Sequence, residues 1–187
     1  MGALPPARLS SGFGTMTKLE TARLSLRELR QSDFAELYAM FNDPRVMRYY
    51  PSMRDEAGTQ AWLDRMLTGY SAEGYGLWAV ELKESGEFVG QCGLLLQEVD
   101  GQSELEIGYL FKSQHWHQGY ATEAARACKR YAFDRLGQEH VISLIRPVNA
   151  PSRKVAERNG MKVWKTTTFR GFESLVYRVD AGEREEE

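Results

Sequence analysis

The sequence is short of most features that would narrow its chemistry at once. It holds only two cysteines in 187 residues, Cys92 and Cys128. Two thiols make no disulfide framework, and these have no metal-ligand spacing. Both lie among apolar residues, so core packing in a reducing, cytoplasmic compartment is expected. Histidine is also scarce, at three residues. His115 and His117 are close in sequence, but no cysteine or carboxylate completes a ligand pattern around them, so no metal is expected. Charge of one sign is lacking too: 24 Lys and Arg against 26 Asp and Glu give a net charge of −2. Such a balance offers no basic surface to nucleic acid or to an anionic membrane, and leans slightly toward basic small partners. No apolar run approaches the roughly 20 residues that cross a bilayer as a helix.

What is present is a regular succession of periodic segments. Leu24 and Leu26 alternate with Ser25 and Arg27, which predicts a strand over 23–29 with one face in solvent. Ser32 is the predicted N-cap of a helix with Asp33 and Glu36 in its first turn. That helix carries Phe34, Leu37, Tyr38 and Phe41 on one face and ends at Asn42-Asp43-Pro44. A second helix over 55–70 places Trp62, Leu63, Met66 and Leu67 at helical spacing. The period then changes to two. Strands over 77–82, 88–97 and 104–111, separated by the turns Glu84-Ser85-Gly86-Glu87 and Asp100-Gly101, form an antiparallel meander. A helix over 121–136 closes at Gly137, a short strand covers 141–145, and a helix over 152–159 closes at Gly160. Segments 163–169 and 173–179 form a hairpin around Arg170-Gly171. The order β-α-α-β-β-β-α-β-α-β-β predicts one α/β (α+β) domain over 18–180. It has a mixed, mostly antiparallel sheet of about seven strands and about four helices. Residues 1–17 read as a flexible tail without the apolar segment of a signal peptide, and 181–187 as an acidic tail.

The chemistry concentrates in 104–124. Strand residues Glu104-Leu105-Glu106-Ile107-Gly108-Tyr109-Leu110-Phe111 run into a polar loop and then into Gln118-Gly119-Tyr120-Ala121-Thr122-Glu123-Ala124. The small residues Gly119 and Ala121 allow an anion to approach the backbone. The first helical turn supplies N–H groups without intrahelical partners, aligned with the positive end of the helix dipole.

This segment resembles the acyl-CoA-binding motif of the GNAT acetyltransferase superfamily, with Trp116-His117-Gln118-Gly119-Tyr120-Ala121 in the motif window. The usual first residue is Gln or Arg. Trp116 is instead similar to the branch of ribosomal-protein N-terminal acetyltransferases, the RimJ/RimL type. Other segments resemble the same branch in the same order: Leu19 to Arg27, Asn42 to Met47, Asn149-Ala150-Pro151-Ser152 and Asn159-Gly160-Met161. The likeness covers about 18–180.

The resemblance implies a splay between the fourth and fifth of the seven predicted strands. Tyr109, Leu110 and Phe111 would pair there with the pantetheine arm of acetyl-CoA. The pyrophosphate would lie on His117, Gln118, Gly119, Tyr120, Ala121 and Thr122. Asn149 would bond the arm, with Ser152 and Lys154 near the thiol or the nucleotide; Asn149 also reads as a turn residue and Lys154 as a solvated helix lysine. Acetyl transfer to an amine requires loss of a proton from the attacking nitrogen, so a base is needed. Glu106 is the candidate, unless it and Glu104 are ordinary solvent-facing strand residues. The tyrosine acid of many members falls at Ala156 and is missing. Ser152 is the replacement by resemblance, and also a helix N-cap candidate. The acceptor side would involve Arg48, Tyr49, Tyr50, Trp62, Tyr75 and the turn from Phe169 to Phe172. Three functions follow: acetylation of a protein or peptide α-amine, acetylation of a small amine, and a non-catalytic acyl-CoA sensor. A homodimer is compatible with each.

Overall fold

The computed structural model describes residues 17–183, so most of both expected tails lies outside the described residues. The chain order is β1 (Thr17–Glu20), β2 (Leu24–Arg27), α1 (Phe34–Phe41), α2 (Glu56–Glu73), β3 (Leu77–Leu82), β4 (Phe88–Val99), β5 (Gln102–Phe111), α3 (Tyr120–Asp134), β6 (His140–Ile145), α4 (Ala150–Arg158), β7 (Lys162–Phe169) and β8 (Phe172–Asp180). The eight strands form one sheet in the order β1-β2-β3-β4-β5-β6-β8-β7. Every neighbouring pair is antiparallel except β5 and β6. The predicted α/β domain is therefore present, with four α-helices and one more strand than expected among the described residues. The extra strand, β1, is too short for a periodic signal; it is held by pairing with β2. No helix among the described residues is long and apolar enough to cross a membrane.

The main core cluster runs across the sheet, and a smaller one holds Val99, Ile142 and Val176. Leu24 and Leu26 on β2, Trp78 and Val80 on β3, Leu94 on β4 and Val141 on β6 are fully buried, and Tyr177 on β8 nearly so. Helix α3 meets the sheet through Ala124, Ala125, Cys128 and Ala132, all buried. Small side chains on that stripe let the helix axis approach the strands closely. Cys92 and Cys128 are free thiols facing each other in this layer, Sγ to Sγ 3.6 Å.

Three expectations for the first helices need correction. Ser32 is not a helix cap: it lies in a short 3-10 turn, and Asp33 occupies the cap position of α1 without capping it. The Asp33 carboxylate instead takes both terminal nitrogens of Arg27, at 2.8 and 2.9 Å. Arg27 is accordingly buried, although strand alternation put it on a solvent face, and its Nε also donates to Glu81 on β3 at 2.9 Å. Finally, the buried face of α1 is Leu37, Met40 and Phe41, while Phe34 and Tyr38 stack on one another beside it.

Helix α2 begins one residue after the cap Asp55, whose carboxylate accepts from the Gly58 N–H at 2.8 Å. Its Tyr70 hydroxyl accepts from the Leu29 N–H and donates to the Leu77 carbonyl, tying α2 to β3 and to the segment after β2. Phe41 of α1 meets Trp62 of α2 edge to face, with ring centroids 6.0 Å apart. This aromatic pair forms one wall of the cavity described next.

Candidate active site

Strands β5 and β6 share a single ladder pair, Glu106 opposite Ile142. Side chains take over the bonding that follows it. The Ser143 hydroxyl donates to the Ile107 carbonyl at 2.9 Å, and the Leu144 N–H reaches the Glu106 carboxylate at 3.3 Å. Beyond that point the strands part. This is the expected splay between the fourth and fifth predicted strands, which are β5 and β6 of the eight. The carbonyls of Ile107 and Phe111 both point away from β4, toward Ser143 and Trp116 respectively. By the period of two, the peptide groups of Tyr109 face the same gap.

A cavity of about 180 Å³ occupies the opening. Glu106, Ile107, Gly108, Tyr109 and Leu110 line it from β5, Ile145 and Arg146 from the end of β6, and Asn149 and Ser152 from the start of α4. The other wall includes Tyr49, Tyr50, Arg54 and Trp62 from the first helical region, and Phe169, Arg170 and Phe172 from the last hairpin. Two of the expected acceptor residues, Arg48 and Tyr75, do not line it. Arg48 lies over the Tyr49 ring, and Tyr75 packs against the core.

Glu106 is partly buried, and its carboxylate accepts from Gln97 Nε2 at 2.6 Å as well as from the Leu144 N–H. Burial raises its pKa above the usual carboxylate range, and those two hydrogen bonds only partly oppose the shift. Glu104 shares its strand face but not its role: its carboxylate is buried and bonded to His140 at 2.6 Å. The solvent-facing alternative therefore fails for both residues.

On the α4 side, Asn149 is the helix cap. Its Oδ1 accepts from the Ser152 N–H at 3.2 Å, which leaves Nδ2 as the donor Asn149 can offer the cavity. Ser152 thus receives a cap rather than supplying one, and its hydroxyl is not engaged as a helix cap. The Tyr109 hydroxyl donates to the Ser152 carbonyl at 2.9 Å and fixes the first turn of α4 against β5. Ala156 is buried in the core. Lys154 is exposed on α4 and stands apart from the cavity lining.

At the far end of β5, the Trp116 indole donates to the Phe111 carbonyl at 2.9 Å and the chain turns into α3. His117 and Gly119 take left-handed backbone angles, φ 62° and 81°. Gly119 is the cap residue of α3 and gives no side-chain cap. Since the Glu123 N–H is the first to bond within the helix, to the Gly119 carbonyl, the N–H groups of Tyr120, Ala121 and Thr122 are left for an anion. One residue here escaped sequence reading. Arg23 donates from Nη1 to the Gln118 carbonyl at 2.9 Å and from Nε to Glu123 at 2.7 Å. Its guanidinium also lies 4.6 Å from the centre of the Tyr120 ring. An arginine about a hundred positions away leaves no local signal of such a clamp. The buried lining residues Gln91 and Gln97, and the arginines Arg54, Arg146 and Arg170, were likewise invisible as a group.

Residues 23–162 match the acetyltransferase (GNAT) domain family. The chain is similar to the uncharacterized protein YkkB of Bacillus subtilis, at 43% identity over 80% of this chain and 88% of that one. It is 32% identical to an FsC-acetyl coenzyme A-N(2)-transacetylase of Aspergillus fumigatus, over 88% of this chain and 73% of that one. The crystal structure of an acetyltransferase from Agrobacterium tumefaciens superposes with a TM-score of 0.77 at 30% identity, covering 92% of this chain and 99% of that one.

Proposed function

Because the chain belongs to the GNAT acetyltransferase family, we propose that it moves the acetyl group of acetyl-CoA directly to a primary amine, with a protein or peptide α-amine as the first acceptor class. The observation that carries this reading is the parting of β5 and β6 immediately after Glu106. It exposes an edge of peptide groups beside a carboxylate at one end of a cavity.

The binding half follows from groups that the fold leaves unused. The N–H groups of Tyr120, Ala121 and Thr122, with the α3 dipole, suit a pyrophosphate. The Tyr109 edge suits strand-like pairing with the pantetheine amides, and Asn149 Nδ2 is the additional donor. The name of the Aspergillus relative, which joins acetyl coenzyme A to transfer onto N(2), supports both the donor and the nitrogen acceptor. The α-amine preference and a place in the RimJ/RimL-type branch rest on the segments Leu19 to Arg27, Asn42 to Met47 and Asn149 to Ser152. A cytoplasmic setting suits the two free thiols.

Acetyl-CoA supplies the acyl group as a thioester. The chain's own groups must take the amine's proton, stabilise the oxyanion and return a proton to sulfur. Glu106 takes the proton as the new C–N bond forms. The Tyr109 N–H faces the gap where oxyanion charge develops. The Ser152 hydroxyl donates to the departing thiolate as the C–S bond breaks, and regains its proton from solvent. No covalent enzyme intermediate is needed.

Thiol release from acetyl-CoA over a panel of amines, followed by mass spectrometry of the products, tests the reading. Acetylated amine in equal amount to free thiol is expected. Tight acetyl-CoA binding with no thiol release for any amine would establish a sensor instead. Replacement of Ser152 by Ala is expected to lower kcat about tenfold or more while the acetyl-CoA KM moves less than about twofold. The converse split would make Ser152 a binding residue.

Gly119→Val isolates the phosphate loop. A Cβ at Gly119 meets only Arg23 Nη2, at 3.4 Å, so space is available, but φ of 81° is strained for a β-branched residue. Distortion of the loop at a cost of about 1–3 kcal/mol should raise the acetyl-CoA KM about tenfold or more. An unchanged KM would separate the loop from the donor site.

A further inference from the structure

The acceptor half of the cavity carries a charge that the whole chain does not. Its lining holds three positive side chains, Arg54, Arg146 and Arg170, and one negative, Glu106. No carboxylate forms a direct ion pair with these arginines among the described residues, although the charge of Arg170 acts on Glu106; aromatic faces and a peptide oxygen hold them instead. The Arg54 guanidinium lies 5.2 Å from the Phe41 ring centre and 4.8 Å from that of Trp62, and its Nε is buried without a hydrogen-bond partner. Arg146 lies 4.3 Å from the Phe172 ring centre and donates from Nη1 to the Tyr49 carbonyl at 3.3 Å. Arg170 stacks on Phe169 at 5.1 Å.

Arg170 also occupies an expensive backbone position. It is the first residue of the two-residue β7–β8 turn, with φ of 50°, followed by Gly171 at 81°. Such turns favour Asn, Asp or Gly at that place, because a longer L side chain there costs about 1 kcal/mol. Burial and the neighbouring positive charge of Arg170 both hold the Arg54 pKa below the ordinary guanidinium range, so the two cations repel each other across the opening. A cluster of like charges on a cavity wall, stacked on aromatics and without a direct ion pair, is arranged to meet an anion.

We propose that the acceptor is a primary amine that also bears a carboxylate or phosphate group, with Arg54 and Arg170 receiving the anion while Glu106 faces the amine. This rests on the acetyl-transfer reading and narrows its acceptor. The charge balance explains the pairing. An ammonium or a polycation alone would enter against three guanidiniums, which is unfavourable in a partly desolvated site. An amine carrying its own anion satisfies both ends. The net charge of −2 leans toward basic acceptors; the cavity has the opposite sign, because charge near the reacting atoms outweighs the screened remainder of the surface.

The test uses the full chain, saturating acetyl-CoA and matched acceptors: alanine against alaninamide, phosphoethanolamine against ethanolamine, and peptides with Asp against Asn at the second position. The anionic member of at least one pair is expected to have a kcat/KM about tenfold or more higher. The pair that responds identifies whether a free acid, a phosphate or an acidic peptide is the source. In Arg54→Gln and Arg170→Gln that ratio should fall toward one through the acceptor KM, and Arg170→Lys should restore part of it. Preference for neutral or dicationic amines would overturn the proposal alone, as would Gln variants that slow both members equally. Absence of thiol release with every amine would overturn the acetyl-transfer reading and this inference with it.

Discussion

Glu106→Gln is expected to lower kcat/KM for amine acetylation by about a hundredfold or more near neutral pH, the scale of a general base. Burial holds the Glu106 pKa above the usual carboxylate range, so the native enzyme should lose activity as pH falls through that raised value and the carboxylate takes up a proton. The Gln variant should lack this acid limb. The gap between the two should be widest above the Glu106 pKa and below that of the amine. At higher pH the free amine forms without help, and the difference should narrow. Stability moves the other way. A carboxyl whose folded pKa is raised binds its proton more tightly in the folded state, so it lowers stability as pH rises from the ordinary carboxylate pKa through the raised one. The Gln variant should thus melt at the same temperature as the native protein or slightly higher at neutral pH, so that lost activity cannot be ascribed to unfolding. Superimposable pH–rate curves for the two proteins would remove Glu106 from the role of base.

The largest stability effect is expected at Arg27, which ties β2 to β3 and to the turn that begins α1. It makes a two-pronged ion pair with Asp33 and another with Glu81. Burial alone would lower its pKa, but the hydrogen bonds and charges of those two carboxylates hold it above the ordinary value. Arg27→Ala leaves Asp33 buried without its cation. A loss of about 3–5 kcal/mol follows from stranding a charge in this way, corresponding to roughly 10 °C in Tm for a domain of this size. Urea denaturation measures it. A loss under about 1 kcal/mol would mean that water reaches Asp33 and that the network is marginal. Because Asp33 sits at the start of α1, the same variant should also weaken acceptor binding, through Phe41 on the cavity wall.

Much of the scaffold was legible because it depends on local rules. The 77–82 strand, the turns at Asp100-Gly101 and Arg170-Gly171, and the glycine closures at Gly137 and Gly160 all came from side-chain period and from residues that tolerate positive φ. Errors arose where a distant partner, or in one case a nearer capping residue, overrode a local preference. Arg27 reads as a solvent-facing strand residue until Asp33 and Glu81 are brought to it. Ser152 reads as a cap by type, yet Asn149 begins the helix three residues earlier. β1 has four residues and needs β2 to exist as a strand at all.

Sequence alone determined the order of the elements after β1 and the glycine-led start of α3, since each rests on residue type and short spacing along the chain; the candidacy of Glu106 and Asn149 came from the family resemblance of the segments that hold them. Only the tertiary structure decided that β5 and β6 part after one ladder pair, that Arg23 clamps the loop before α3, and that Arg54, Arg146 and Arg170 line one cavity with Glu106. Those facts join residues dozens of positions apart. Their charges and hydrogen bonds act through space, over distances that spacing along the chain does not encode.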